Sequence, residues 1–291
     1  MDEELRMKLA DLGSPERLAD CIVDHLGISE PPVPLERIAE AVGIVEIVGR
    51  NTDSFEGVLV TDNAKSRGFI AYNESSRPER RRFTIAHEIG HFLMPFHGPK
   101  AQCAKVDLSV LKAKDPNRAR EAEANRFAAA LLMPLRLFKS DMRRLGPPET
   151  EHIVALASRY GVSKEATARR YTELSQHACA IVFAHDGRVR STPCRTTDFP
   201  FLAVERNHPL PTGSASTRAR AEQGQVSAWS EVPAEVWLGP ERRLRGKILQ
   251  EQFLQQANGH RLIMLTLDDV LEDPEEDETL EESWTPRFRR R

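Results

Sequence analysis

The sequence predicts an α+β protein laid out in segments, and three observations carry that prediction. Apolar residues recur at helical spacing up to about residue 45, again in RAREAEANRFAAALLM, and again between residues 149 and 175. Short runs rich in β-branched and aromatic residues, VEIVGR, EGVLVT and RGFIAYN, stand between those helical stretches. Past about residue 176 the pattern turns to hairpins, and past about 271 to dense charge. The segments that follow are 1–145, an α+β unit; 146–176, helical with a helix–turn–helix look; 177–270, a second α+β unit; and 271–291, a charged tail expected to be disordered.

Each element has its own signal. SPERLADCIVDHLGI opens on a Ser14–Glu16 cap region, and PPVPLERIAEAVGI sets prolines ahead of a helix and Gly43 near its end. The three strand runs come next, with DNAKS as the turn between the last two. The following helix begins near Pro78-Glu79-Arg80 and ends close to Met94, because Pro95 continues a helix poorly. Residues 98–117 read as a loop with a short helix. RAREAEANRFAAALLM is built of strong helix formers and stops at Pro134. ETEHIVALASRYGV and SKEATARRYTEL are two further helices. ACAIVFA and RVRST flank a His-Asp-Gly turn, and KILQEQFLQQ and HRLIMLTL flank Asn258-Gly259, a pair suited to a tight hairpin. Residues 207–228 are polar and read as loop.

Composition narrows the function classes. The chain has 291 residues, 40% of them hydrophobic, enough for a buried core and more than one domain. Its 41 basic and 44 acidic residues give a net charge of -3, which argues against a global attraction to nucleic acid. Cys21, Cys103, Cys179 and Cys194 are scattered, with no CxxC pair. No signal-peptide pattern follows Met1, and no apolar run reaches the roughly 18 residues of a membrane span. The expectation is a cytoplasmic protein with reduced, mostly buried thiols.

FTIAHEIGHFLMP carries the chemistry. Positions i and i+4 of a helix share a face, so His87 and His91 can aim imidazole nitrogens at one ion. Neutral imidazole binds zinc at about 2.0–2.1 Å. Glu88 sits beside the ion without having to bind it, and can take a proton from an attacking water. Gly90 is expected to keep the face near the ion uncrowded. Phe83, Ile85, Ala86, Ile89, Phe92 and Leu93 would bury most of the helix, and burying these polar groups without a partner is costly.

A hydrolytic site needs a third protein ligand and an open fourth position. His97 has the spacing of the HExxHxxGxxH pattern, but Met94 stands where that pattern has a turn-making Gly. The other candidates are Glu121 and Glu123, which point about 200° apart on one helix. Glu121 flanks the apolar face of Ala124, Phe127, Ala128 and Leu131 and is preferred, with Glu123 the fallback. Asn125, one turn on, can orient a ligating histidine through its second ring nitrogen.

Taken together, RRFTIAHEIGHFLMP and EAEANRFAAALLMP resemble the ImmA/IrrE family of zinc metallopeptidases, over about Leu35 to Leu137 and including GFIAYN. The resemblance implies a zincin-like domain holding Zn2+, with Mn2+ as the alternative metal. It implies His87 and His91 as ligands, Glu88 as catalytic base, and a Glu ligand from EAEAN, placed at Glu121. It also implies a bacterial cytoplasmic endopeptidase whose protein substrate is a helix-turn-helix repressor, in a stress-response or mobile-element switch. The rival reading is a zincin-like module that holds such a partner without cutting it. Some relatives carry a GAF-like sensor where residues 177–270 stand here.

Other features take a lesser part. A strand at 57–61 or 68–73 is expected to pair with extended substrate backbone. No residue is assigned as oxyanion stabiliser. LASRYGVSKEATARRYTEL, with Arg159, Lys164, Arg169 and Arg170, could contact DNA, but a helical pair packed on the peptidase is the favoured reading. Trp229 and Trp237 read as core, Cys179 and Cys194 as buried hydrophobes, and RPERRR as a solvated helix start.

Overall fold

The computed structural model describes residues 2–94, 97, 100–103, 116–219, 222–240 and 246–267. The first helices start and stop on their caps. α1 (Glu3–Ala10) is capped by the Asp2 carboxylate, which accepts from the N–H groups of Glu4 and Leu5. α2 (Pro15–His25) has Ser14 as N-cap and Pro15 at its first position. α3 (Leu35–Val42) ends on Gly43 at φ 99°, a conformation glycine adopts without a Cβ clash.

Next come β1 (Ile44–Arg50), β2 (Gly57–Thr61), β3 (Gly68–Asn73), α4 (Pro78–Leu93) and β4 (Lys100–Cys103). The strands form a sheet in the order β1-β3-β2-β4, with β1 parallel to β3 and the other pairs antiparallel. β4 lies where a loop was expected. KAQC has no apolar alternation to announce a strand; backbone pairing with β2 makes it one. The rest of that expected loop, 104–115, lies outside the described residues. Because β4 covers β2, residues 57–61 and 68–73 are both internal. The expectation that either offers a free edge to substrate is therefore wrong, and among the described residues the edge strands are β1 and β4.

α5 (Pro116–Leu132) ends before Pro134 as expected, but α6 (Leu135–Leu145) follows at once and was not expected. Pro134 stops one helix and occupies the N-cap of the next, where its missing N–H costs nothing. α7 (Thr150–Tyr160) and α8 (Lys164–Leu174) meet at Gly161, φ 63°. A second sheet follows, made of β5 (Cys179–His185), β6 (Arg188–Val189), β7 (Cys194–Arg195), and then, after the short α9 (Ala215–Arg218), β8 (Ser230–Pro233). After α10 (Glu235–Leu238), β9 (Ile248–Gln255) and β10 (His260–Thr266) complete it. Its order is β6-β5-β10-β9-β8, with β7 also on β5. Both expected hairpins are present, turning on Asp186 and Gly187 (φ 47° and 73°) and on Asn258 and Gly259 (φ 53° and 72°). The tail 271–291 lies outside the described residues.

Two apolar cores organise the chain. One runs without a break from Leu5 through α4, α5, α7 and α8 to Ile181, Phe183, Leu262 and Met264 on one face of the second sheet. The other covers the opposite face, with Val182, Phe253, Ile263 and Trp237. Alternate residues of β5 thus enter different cores, as the period-2 alternation of a strand requires. Trp237 is buried in the second core while Trp229 packs on the first, so the two form no common cage. The helical pair is wedged against the sheet: Thr150 donates its N–H and hydroxyl to Gln252 Oε1, each at 2.9 Å. Three of its four cations have partners within the chain, Arg159 on Asp141, Lys164 on Gln256 and Arg170 on Glu173. Within RPERRR, residues 77–80 are exposed as expected, but Arg82 is half-buried and donates to the Val33 carbonyl.

Candidate metal centre

α4 and α5 pack face to face, and the site lies between them. Gly90 permits this contact. A Cβ there would fall 3.0 Å from Phe127 Cδ1 and 3.3 Å from Ala124 Cα. Gly90 therefore faces α5, which corrects the expectation that it clears space at the ion.

His87 and His91 are both buried on one face of α4, their Nε2 atoms 3.0 Å apart. Across from them, Glu121 on α5 places Oε2 3.2 Å from His87 Nε2 and Oε1 3.4 Å from His91 Nε2. Tetrahedral donors about 2.0–2.1 Å from a zinc ion lie roughly 3.3 Å from one another, so the spacing of these three groups fits a single ion. Among the described residues this is the one group of three such donors within 4.8 Å of one another. Burial alone would raise the Glu121 carboxyl. Hydrogen bonds and charge from His87 and His91 outweigh that and hold it well below the usual carboxylate range. Burial likewise pushes the His91 imidazole below its ordinary value. Both shifts favour the ionisation states that bind metal: an anionic carboxylate and a neutral imidazole.

Glu123 and His97 stand behind this trio. His97 is buried, with Nδ1 2.7 Å from His91 Nδ1 and Nε2 3.1 Å from Glu123 Oε2. His97 is thus at the far ring nitrogen of His91, outside the group of three donors, and Glu123 faces His97 instead of His87. Asn125 is half-buried one turn past Glu121. The chain Glu123–His97–His91 was not anticipated. Its signal in the sequence was the i+6 histidine, weighed there as a candidate third ligand and not as a support for His91.

Glu88 is fully buried beside β2. A Cβ at Gly57 would come within 2.5 Å of Glu88 Oε1 and of Thr84 Cγ2. The start of β2 is therefore glycine where the strand crosses the glutamate, and sequence reasoning missed this position. Lys65, in the β2–β3 turn, closes the other end of α4. Its ammonium donates to the carbonyls of His91 (2.8 Å) and Met94 (2.6 Å), and burial pushes its pKa down to about 8. Phe83 packs one turn ahead of the trio, its ring centroid 6.0 Å from that of His87.

Residues 43–172 match the family model of the IrrE N-terminal-like domain, Peptidase_M78. The radiation response metalloprotease IrrE of Deinococcus radiodurans is 31% identical over 115 residues, which cover 40% of this chain and 33% of that protein. The protein of the same name from Deinococcus deserti is 35% identical over 115 residues, covering 40% and 39%. The chain thus spans well under half the length of these relatives. In fold it is similar to a solved Mycobacterium tuberculosis transcriptional regulator, with a TM-score of 0.54 at 16% identity, over 94% of this chain and 86% of that one. No helix among the described residues is long and apolar enough to cross a membrane.

Proposed function

We propose, from the match of residues 43–172 to the IrrE N-terminal-like family model and the similarity to two IrrE proteins, that the chain is an ImmA/IrrE-type zinc-dependent endopeptidase making site-specific cuts in a regulatory protein. The observation that carries the reading is the convergence of His87, His91 and Glu121 with the buried Glu88 next in sequence to the first histidine. His87, His91 and Glu121 would hold the metal. When bound, it supplies Lewis acidity, which lowers the pKa of a water and polarises a carbonyl. Two imidazoles and a carboxylate also suit other divalent ions, manganese included.

The protein's own groups do the rest. Glu88 accepts a proton from the attacking water and passes it to the leaving amine nitrogen. Its burial against the start of β2 keeps the carboxylate away from bulk water. Asn125 orients a ligating imidazole, and the segment 1–145 is the catalytic unit, with 146–176 packed on it and 177–270 as a regulatory module. The substrate is a helix-turn-helix repressor met in the cytoplasm. Intrachain partners for Arg159, Lys164 and Arg170 support a packing role for α7 and α8 over DNA contact.

The test is metal content together with cleavage of co-expressed helix-turn-helix repressors from neighbouring genes, for wild type and Glu88→Gln. Equal metal in both proteins and a defined cut by wild type alone is the expected outcome. Metal in both with no cut by either would favour the rival reading, a module that holds its partner. No metal after reconstitution with zinc would end the metallopeptidase reading.

A further inference from the structure

A cavity of about 640 Å3 opens where three distant parts of the chain meet, and none of the three candidate metal ligands lines it. Its floor is apolar: Phe83 of α4, Leu132 and Met133 at the end of α5, Val154 of α7 and Phe183 of β5. Its rim is cationic. Arg77, Arg80, Lys164, Arg190 and Arg261 line it, against the carboxylates of Glu79 and Glu165. In a chain of net charge -3 this is a local concentration of the opposite sign.

One of these cations is positioned without being neutralised by the group that holds it: Lys164 Nζ donates to Gln256 Oε1, a neutral acceptor, at 2.7 Å. The Arg261 guanidinium is turned to the other face of the sheet, onto Gln255 Oε1, the Ser216 carbonyl and the Phe253 ring. The other visible pairs are looser, Arg190 with Glu165 at 3.6 Å and Arg80 with Glu56 at 3.5 Å. His260, also in the lining, has its imidazole pKa lowered by burial and by the charge of His185, Arg190 and Arg77. The first turn of α8 lines the same cavity and adds the positive end of a helix dipole.

An apolar floor under converging cations selects a ligand with both characters, and the volume is within the roughly 300–1,000 Å3 of small-molecule pockets. We propose that this cavity binds an anionic amphiphile, with its apolar body on the floor between Phe83 and Phe183 and a carboxylate or phosphate head between Lys164 and Arg190. This site is separate from the one assigned to peptide cleavage, so it stands or falls independently of that reading.

Isothermal titration of the full chain tests it, with decanoate as probe, decanol as the apolar control and inorganic phosphate as the anionic one. The expected result is saturable binding of one decanoate, decanol weaker by at least tenfold, and no measurable phosphate binding. Lys164→Glu should weaken decanoate at least tenfold and leave decanol unchanged, and Val154→Trp, which fills the cavity, should remove both. If Lys164→Glu does not fold by circular dichroism, Arg190→Gln carries the same expectation. No saturable decanoate binding, equal affinity for decanol, or undiminished binding by the charge variant would each overturn the proposal.

Discussion

Gly57 and Gly90 each make room by lacking a methyl group, one for a side chain and the other for a helix. At Gly57 the space belongs to the Glu88 carboxylate. Gly57→Ala should displace that carboxylate and abolish cleavage while metal content, measured by atomic absorption, stays at the wild-type level. His97 acts at one remove, on the ring nitrogen of His91 that faces away from Glu121. Groups in that position fix ring orientation, and their loss typically weakens metal binding about 10–100-fold. His97→Ala is expected to show that loss in a competition titration against a chelator, and unchanged affinity would remove His97 from the site. At this scale the sequence was readable where one helix decided the geometry: an i, i+4 pair of histidines shares a face whatever surrounds it. The choice between Glu121 and Glu123 needed the crossing of α4 and α5, which periodicity does not supply. Gly57 was hidden because its neighbour, Glu88, is 31 residues away in the chain and is brought close only by the sheet packing on α4. Cys179 and Cys194 are buried as expected, and burial pushes the Cys179 thiol up to about 12, leaving little thiolate to react.

Elements were legible in proportion to their local signals. Ser14, Pro15, Gly43, Gly161 and Asn258-Gly259 mark ends and turns that the backbone must make there, and the structure has them in those places. β4 carries no such mark because its stability comes from β2. α6 was overlooked because a proline that ends one helix can also begin another. A further anchor was invisible in sequence. Glu251 of β9, fully buried, accepts from Ser214 Oγ (2.7 Å), the N–H groups of Ala215 (3.0 Å) and Ser216 (2.8 Å), and Trp237 Nε1 (2.9 Å). Four donors from two segments thus close around one carboxylate, which ties the polar stretch ahead of α9 and the helix α10 to the sheet. Glu251→Ala leaves these buried donors without their acceptor, each at a cost of about 1–3 kcal/mol. A loss of at least about 3 kcal/mol in urea unfolding is expected, and a loss below 1 kcal/mol would show that water replaces the carboxylate readily.

Across the whole molecule, the first core joins α2, α4, α5, α7 and α8 to one face of the second sheet. Composition and segment order suggested separable units, whereas side chains from Leu5 to Met264 pack in one continuous cluster. Of the three tryptophans, Trp229 reports on this cluster and Trp237 on the other, while Trp284 lies outside the described residues. Unfolding followed by tryptophan fluorescence and by far-UV circular dichroism should therefore give coincident transitions. Two separated transitions would mean that the sheet comes away from the helices before the helices melt. The Thr150–Gln252 contact, spanning 102 residues of sequence, is a long-range tie within that cluster. It also has a meaning for synthesis on the ribosome, where a chain emerges N-terminus first at about 5–20 residues per second. The helices of the candidate metal centre are made early, but Ile153 and Leu156 of α7 have no sheet to cover them until β9 and β10 arrive roughly ninety to one hundred and ten residues later. For those seconds the nascent protein presents an oily face that its finished form conceals, and a chaperone that binds such faces would meet it at that stage.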